Sequence, residues 1–290
     1  MTWDETIALL TPCLPDPLSS ALLALSPDSL MEIRIRADRD AQLCCRDGMH
    51  TVSLQVSQED VARICEALTG HSLYARSEEI SMGYVTLRGG HRLGLCGSVH
   101  IVDGKTHLQR VYSVCLRIAA SHPGCSESLF PSAGEGMLII GPPASGKTTL
   151  LRDLARLVSL SGKQTAVIDE RCELSACLDG TPQLDIGCAD VLCGLSKPEA
   201  ASWLIRSMSP EVIVTDEISR EEDAEALLDA HACGVQIIAS IHGRNLNEAV
   251  RRNAIKKLVA SRTFGTYTVL SSVQPGCITA MYDRNGSPLL

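Results

Sequence analysis

The residues best suited to chemistry in this sequence lie in a short turn that follows the apolar run 137–140. The turn has the spacing G-x-x-x-x-G-K-T, from Gly141 to Thr148, which is typical of a phosphate-binding loop. Gly141 and Gly146 let the backbone bend tightly and approach a phosphate without a Cβ in the way. The N–H groups of the turn and the N-terminus of the following helix then attract the anion. The predicted nucleotide-binding residues are Gly141, Pro142, Pro143, Ala144, Ser145, Gly146, Lys147, Thr148 and Thr149.

Two side chains of this loop indicate which ligand it binds. Lys147 places a compact ammonium group near the β- and γ-phosphates of a nucleotide, and the hydroxyl of Thr148 can coordinate Mg²⁺. The strand, loop and helix pattern around them is the context that this motif requires. The sequence therefore predicts ATP and Mg²⁺ as ligands.

An acidic pair, Asp216 and Glu217, follows a second apolar run, 212–215. Ligands of open α/β sheets bind beyond the carboxyl ends of the strands, so we expect this pair to meet the phosphate loop from the neighbouring strand. Asp216 would hold Mg²⁺, mostly through water, and Glu217 would polarise the water that attacks the phosphate. Together with the phosphate loop, the pair predicts hydrolysis of ATP to ADP and phosphate.

Polar residues also end two other apolar runs. Asp169, Glu170 and Arg171 come directly after one run, and His242 follows another. We interpret Glu170 as an active-site acid and His242 as a sensor of the γ-phosphate, against an ordinary helix cap and an ordinary hydrogen-bonded histidine. For Arg171 three roles stay open: a role in its own site, a role in a neighbouring subunit's site, or a surface salt bridge.

The composition excludes some classes of protein. The formal net charge of −8 offers no broad positive surface, so no nucleic-acid partner is expected. The acidic start of the chain differs from the basic region of a secretory signal, and no apolar run is long enough to cross a bilayer. We expect a cytoplasmic protein that associates with a membrane only through partners.

The chain contains thirteen cysteines, a high count for 290 residues, but no C-x-x-C pair. This spacing argues against a zinc ribbon or a redox motif. In a cytosolic chain we interpret these side chains as buried thiols that pack as small hydrophobic groups.

The order of the predicted elements divides the chain. Residues 1–120 mix short strands and helices, which predicts a smaller α+β N-terminal domain with a helix capped by Ser57 and a hairpin turning at Gly89 and Gly90. Residues 121–136 are rich in Gly, Pro and Ser and are interpreted as a linker. The expected strands are 31–36, 41–45, 51–55 and 111–118, and the expected helices are 18–25, 57–70 and 74–80.

In residues 137–290 predicted strands alternate with predicted helices. This alternation predicts an α/β domain with a mostly parallel sheet that helices cover on both faces. The tail is interpreted as two edge strands, 267–270 and 278–282, across a turn at Pro275 and Gly276. The other expected strands are 137–140, 165–168, 211–215 and 235–240, and the expected helices are 147–161, 198–209, 221–232 and 246–259.

Five segments together carry a family resemblance: Gly89–Gly97, Gly141–Asp153, Val167–Arg171, Arg206–Ile218 and Ile238–Gly243. With these segments the chain resembles the stage III sporulation protein AA family, which is related to the type II and type IV secretion ATPases. The resemblance implies a RecA-like P-loop ATPase core behind the α+β domain. It also implies a homo-oligomer, a hexameric ring motor with nucleotide at the subunit interfaces. The implied partners are membrane-embedded sporulation channel proteins between mother cell and forespore, reached from the mother-cell side.

The resemblance also implies roles for single residues. Asp169 and Glu170 fall at the acidic box of the secretion relatives, and His242 falls at their histidine box. Ala144 stands where we expect Gly in the family, a change that we expect to be sterically harmless. Ring ATPases usually borrow an arginine from the neighbouring subunit, and the candidates here are Arg92, Arg117 and Arg171.

Two other functions stay open. A scaffold that assembles a membrane complex when loaded with ATP would bind nucleotide with little turnover, although it would not need a water-activating acid such as Glu217. A nucleic-acid motor would need a basic groove. The one concentrated basic face of the sequence consists of Arg251, Arg252, Lys256 and Lys257.

Overall fold

The computed structural model of the protein describes residues 2–27, 29–70, 79–80, 83–102 and 105–290, without the side chains of residues 102 and 105–107. The chain divides into two compact units, Met1–Ala120 and Ser121–Leu290, each with its own sheet. Most of the helix expected over 74–80 lies outside the described residues. No helix in the described part of the chain is both long and apolar enough to span a bilayer.

The first unit is built on a six-stranded antiparallel sheet with strand order β3-β2-β1-β6-β5-β4. Its strands are β1 (Leu30–Arg36), β2 (Asp40–Cys45), β3 (Gly48–Gln55), β4 (Tyr84–Thr86), β5 (Arg92–Val102) and β6 (Lys105–Arg117). Its described helices are α1 (Trp3–Leu10), α2 (Asp16–Leu23) and α3 (Gln58–Leu68).

Local sequence explains much of this unit. Buried and more exposed residues alternate along β2, as the period of two in a half-buried strand requires. Ser57 caps α3 reciprocally: its hydroxyl accepts from the N–H of Asp60 at 3.1 Å, and the Asp60 carboxylate accepts from the N–H of Ser57 at 2.9 Å. Gly89 and Gly90, with φ of 79° and 80°, lie in the turn between β4 and β5. The expected hairpin is therefore confirmed.

The second unit contains a seven-stranded sheet with strand order β13-β12-β7-β11-β10-β8-β9. Its strands are β7 (Met137–Gly141), β8 (Thr165–Asp169), β9 (Asp190–Cys193), β10 (Val212–Glu217), β11 (Gln236–His242), β12 (Thr266–Leu270) and β13 (Ile278–Asp283). Its helices are α4 (Lys147–Leu160), α5 (Lys197–Ser207), α6 (Glu221–Ala232), α7 (Leu246–Ala249) and α8 (Asn253–Ala260).

Every neighbouring pair in this sheet is parallel except β12 with β13. Helices cover both faces of this sheet. Alternate residues of β7 therefore pack into two different core layers. Leu138 and Ile140 pack with apolar residues of α5, α6 and α8, whereas Met137 and Ile139 pack with the apolar side of α4. A strand buried on both faces explains why β7 reads as a continuous apolar run. The expected α/β architecture is confirmed.

The strand order corrects two expectations. β12 is an interior strand between β13 and β7, so only β13 of the expected pair lies at the edge. The opposite edge is β9, which pairs in parallel with β8 and which the sequence does not predict. This strand has only four residues, and none of them is buried. It therefore lacks the long apolar run that marks the central strands.

The single helix expected over 246–259 is also wrong, since α7 and α8 are separate. Successive residues of an α-helix are rotated by about 100°, so in one continuous helix Ala249 would point away from Ala254, Ile255 and Leu258. All four are buried. Arg252 has an extended backbone (ψ 132°), and this break allows both faces to pack on the core.

The segment 121–136, interpreted as a linker, packs against α4 in the second unit. Asp153 on α4 accepts hydrogen bonds from the N–H groups of Gly124 at 3.0 Å and Ser126 at 2.8 Å. Leu129 is fully buried, and a short 3₁₀ helix, Phe130–Glu135, leads into β7. Turn-forming residues here build an ordered strap rather than a free connection.

The interpretation of the cysteines as buried thiols is wrong for most of them. All thirteen lie in the described part of the chain and none forms a disulfide bond, and of these only Cys45 and Cys65 are buried. Burial raises the pKa of Cys65 to about 12, so this thiol stays neutral and acts as an apolar group. The exposed cysteines are Cys96, Cys125, Cys188, Cys233 and Cys277.

Candidate nucleotide-binding site

The phosphate loop connects the carboxyl end of β7 with the first turn of α4, as its sequence predicts. A Cβ on Gly141 would lie 2.3 Å from the hydroxyl oxygen of Ser145, so the turn closes only around glycine. Gly146 has a φ of 92°, and a Cβ there would lie 2.8 Å from the N atom of Gly276. At Gly141 a side chain would crowd Ser145, whereas Gly146 is favoured both by close backbone approach and by its backbone conformation.

Ala144 lies in this loop with a φ of 60°. This left-handed conformation costs an L-residue with a Cβ roughly 1 kcal/mol relative to glycine. The expectation that alanine is harmless here is therefore wrong: the side chain fits, but the backbone is strained.

Lys147 begins α4 and is 7% exposed. Its ammonium donates to the carbonyl oxygens of Gly141 at 2.9 Å and Pro142 at 2.8 Å, and lies 3.2 Å from Nδ1 of His242. Burial lowers the pKa of Lys147, and the nearby carboxylate of Glu217 acts in the opposite direction. The loop thus holds its lysine at the mouth of the turn, close to the position of an incoming phosphate.

His242 connects the lysine to the acid. In the pairing of β11 with β7 it lies opposite Gly141, which places its ring over the loop. Nε2 of His242 lies 3.0 Å from Oε2 of Glu217. A lysine ammonium can only donate, so Nδ1 of His242 must accept, and the proton of the neutral ring then lies on Nε2, the nitrogen next to Glu217. Lys147, His242 and Glu217 therefore form one continuous row of polar contacts.

The sequence led us to expect the acidic pair on the strand next to the phosphate loop. This expectation is wrong. β11 stands between β7 and β10 in the sheet. This intervening strand supplies His242, and the histidine spans the gap between Lys147 and Glu217. The correction gives His242 a defined place in the site.

Asp216, 7% exposed at the end of β10, is paired with a cation that the sequence did not single out. Nζ of Lys197, on the first turn of α5, lies 2.7 Å from Oδ1 of Asp216. Burial raises the pKa of Asp216, and Lys197 partly offsets this effect. Burial alone would lower the pKa of Lys197, but Asp216 and Glu170 together raise it above its ordinary value. The lysine is therefore a fixed positive charge beside Asp216.

Glu170 does not line the cavity that the phosphate loop and Asp216 share. One carboxylate oxygen accepts from Lys197 at 2.9 Å, and the other accepts from Arg220 at 2.9 Å. Both of its oxygens are thus occupied by cations of the chain itself. The structure brings Glu170 next to Asp216 through Lys197 but leaves it out of the cavity lining.

Asp169 organises the loop that follows β8. It is fully buried, and its carboxylate accepts from the N–H groups of Glu173, Leu174 and Ser175 and from the Ser175 hydroxyl, at 2.6 to 3.1 Å. From the other side, Arg152 of α4 donates to the carbonyl oxygens of Leu174 at 2.6 Å and Glu173 at 2.9 Å. These bonds fix the loop that carries Arg171.

These elements enclose a cavity of about 450 Å³. The loop residues 143–149 form one wall, and Asp216, Glu217 and His242 form another. Arg171 also lines the cavity, on an exposed side chain. A hydroxyl on Thr148 and a carboxylate on Asp216 are oxygen donors of the kind that Mg²⁺ prefers, so these residues fit the ion.

The sequence predicts a turn at Pro275 and Gly276, but not that this turn between β12 and β13 reaches the phosphate loop. Pro275 lines the cavity, and the N–H of Gly276 donates to the carbonyl oxygen of Ser145 at 2.8 Å. Sequence reasoning also missed Lys197, although a signal exists. A lysine at the first position of a helix opposes the helix dipole, so it indicates a carboxylate nearby.

The other candidate cations are engaged elsewhere. In the first unit, Arg117 lies 3.3 Å from a carboxylate oxygen of Glu32, and Arg92 lies over the ring of Tyr84. Arg251 and Arg252, between α7 and α8, are exposed. Lys256 and Lys257 on α8 are also exposed, and Lys257 pairs with Glu225. This arrangement is that of a solvated surface.

The fold is that of a RecA-like P-loop protein. The structure of the Yersinia pseudotuberculosis ATPase DotB matches with a TM-score of 0.60 at 15% identity, over 88% of this chain and 76% of that one. The pilus retraction motor PilT with bound ADP matches with a TM-score of 0.59 at 15% identity, over 83% of this chain and 74% of that one. At such identities the likeness shows the fold alone.

The family is shown by sequence. The model of the family "Sporulation stage III, protein AA" matches residues 18–289, so the chain belongs to this family. The stage III sporulation protein AA of Bacillus subtilis (strain 168) is 40% identical over 291 aligned positions, which cover 95% of each chain. The resemblance seen in the five segments is therefore confirmed.

Proposed function

We propose that the protein is a Mg²⁺-dependent ATPase that converts ATP and water to ADP and phosphate. The observation that carries this proposal is the row of Lys147, His242 and Glu217 along a cavity that also contains Thr148 and Asp216. A protein that only bound nucleotide would need the loop and its lysine. A carboxylate held by a histidine opposite the phosphate loop adds the group that hydrolysis requires.

Each residue has a task in this proposal. The loop N–H groups and Lys147 hold the β- and γ-phosphates and stabilise the charge that develops on them. Glu217 orients the attacking water and accepts its proton. His242 fixes the rotamer of Glu217. Because His242 also contacts Lys147, it couples the position of Glu217 to the presence of a γ-phosphate. Thr148 and Asp216 would hold Mg²⁺, and the bound ion would supply positive charge that neutralises the phosphates.

The setting of this activity is also part of the proposal. The related structures are an ATPase and a pilus retraction motor, and the family name refers to sporulation. We propose a hexameric ring motor at the mother-cell side of a membrane complex, with sporulation channel proteins as partners. Arg171 is the favoured arginine for a neighbouring subunit's phosphate, because it is exposed at the cavity.

The substitution Glu217→Gln tests the hydrolytic step. It keeps the shape of the side chain next to His242 but removes the group that takes the proton. We expect phosphate release to fall by about 100-fold or more, with ATP affinity within a few fold of the parent. Glu225→Gln, at an exposed acid on α6, serves as the control and should leave both quantities unchanged. A Glu217→Gln protein with the parental rate would remove Glu217 from the proposed role.

A further inference from the structure

Lys197 is a buried cation placed between two acids of the site. It is 3% exposed, and its ammonium lies 2.7 Å from Oδ1 of Asp216 and 2.9 Å from Oε2 of Glu170. It occupies the first position of α5, where a positive charge is unfavourable to the helix dipole. The two carboxylates therefore provide the reason for its placement.

The two acids depend on Lys197 to different degrees. Glu170 has a second cation, because Arg220 donates to its other oxygen at 2.9 Å. Among the residues that the structure describes, Lys197 is the one cation within ion-pair distance of Asp216. Glu170 thus offers Lys197 an alternative partner, whereas no second cation among the described residues lies within ion-pair distance of Asp216.

We propose that Lys197 is an internal counter-cation that competes with Mg²⁺ for Asp216. This inference rests on the proposed function, in which Asp216 holds the ion. Two cations at one carboxylate repel each other strongly where water is scarce. When Mg²⁺ binds, Lys197 keeps its contact with Glu170 and gives up Asp216. The metal affinity of the site is therefore set by the exchange between two cations, and α5 responds to the exchange because Lys197 is its first residue.

This arrangement makes two substitutions act in opposite directions. Lys197→Met keeps the length of the side chain but removes the competing charge, so Mg²⁺ should bind more tightly. Glu170→Gln removes the alternative partner of Lys197, so the lysine should stay on Asp216 and Mg²⁺ should bind more weakly. A role of Lys197 in stability alone predicts neither change.

The experiment measures the binding of a fluorescent ADP derivative to the full chain as a function of MgCl₂ concentration, with EDTA as the metal-free reference. For Lys197→Met we expect the apparent Mg²⁺ affinity to rise by about fivefold or more. Affinity for the ADP derivative in EDTA should stay within about twofold, because the phosphate loop carries that interaction. Lys197→Arg retains the charge and should keep the parental affinity for Mg²⁺.

Lys257→Met is the matched control, since it removes a lysine from an exposed ion pair with Glu225 on the surface of the same unit. The expected pattern is tighter Mg²⁺ binding for Lys197→Met, weaker binding for Glu170→Gln, and no change for Lys197→Arg and Lys257→Met. If Lys197→Met does not fold, weaker binding in Glu170→Gln supports the exchange, and parental binding overturns it.

An unchanged or weakened Mg²⁺ affinity in folded Lys197→Met would overturn the inference. A failure of the proposed function looks different. In that case the parent itself would bind the ADP derivative without any dependence on Mg²⁺.

Discussion

At the scale of residues, the site depends on a few side chains that fix one another. Lys147 is held between two loop carbonyl groups and His242, and His242 in turn holds Glu217. The spacing of the sequence predicts each of these residues singly. It does not predict their contacts, because these depend on which strand lies between β7 and β10. The strand order thus turns three separate candidates into one row.

Ala144 gives a residue-scale prediction about stability. Its φ of 60° is strained for a residue with a Cβ, so Ala144→Gly should raise the free energy of unfolding of the second unit by about 1 kcal/mol. The matched control is Ala226→Gly in the middle of α6, where the same change should lower stability by about 1 kcal/mol. Urea unfolding measures both. A loss of stability in Ala144→Gly would contradict the strain.

At the scale of elements, the central strands and most helices were predictable because their apolar patterns are long. β9 was not, since four partly buried residues carry no clear period. The break between α7 and α8 was also hidden, because it is imposed by the packing of Ala249 against the core rather than by a Pro or Gly. Tertiary contacts decided both cases.

The strap 121–136 provides an element-scale prediction with a pH dependence. Burial alone would raise the pKa of Asp153, but the N–H groups of Ser126 and Gly124, together with Arg156, outweigh it and lower the pKa. A lowered pKa contributes stability that is present above the ordinary value of 3.8 and is lost as the pH falls through the folded-state value.

We therefore expect Asp153→Asn to lower the free energy of unfolding by about 2 kcal/mol at pH 7. The difference between parent and variant should disappear in acid, below the ordinary pKa of an aspartate. Urea unfolding at pH 7 and at successively lower pH checks this. A difference that persists undiminished in acid would show that the Asp153 charge is not what holds the strap.

At the scale of the whole molecule, the proposed ring requires that subunits complete one another's sites. If Arg171 acts across an interface, Arg171→Ala protomers and Glu217→Gln protomers should each be inactive alone. Mixed rings should recover phosphate release, because an intact arginine from one variant meets an intact acid from the other. The size of the assembly in each sample is measured by light scattering. Mixed rings without recovered activity would place Arg171 in its own subunit's site.

The sequence predicted the P-loop fold of this molecule more readily than its internal cation. The phosphate loop and the acidic pair are local patterns, so they could be recognised without a structure. Lys197 lies on α5 and Asp216 lies on β10, and only the packing of this helix on the sheet brings the two together.

Phosphate release from ATP by the parent protein tests the central claim most directly. The account predicts sustained turnover in the presence of Mg²⁺, loss of turnover in EDTA, and loss in Glu217→Gln with ATP still bound. Tight, Mg²⁺-dependent binding of ATP by the parent with no phosphate release under any assembly condition would contradict it. That result would instead indicate a scaffold that binds ATP with little turnover.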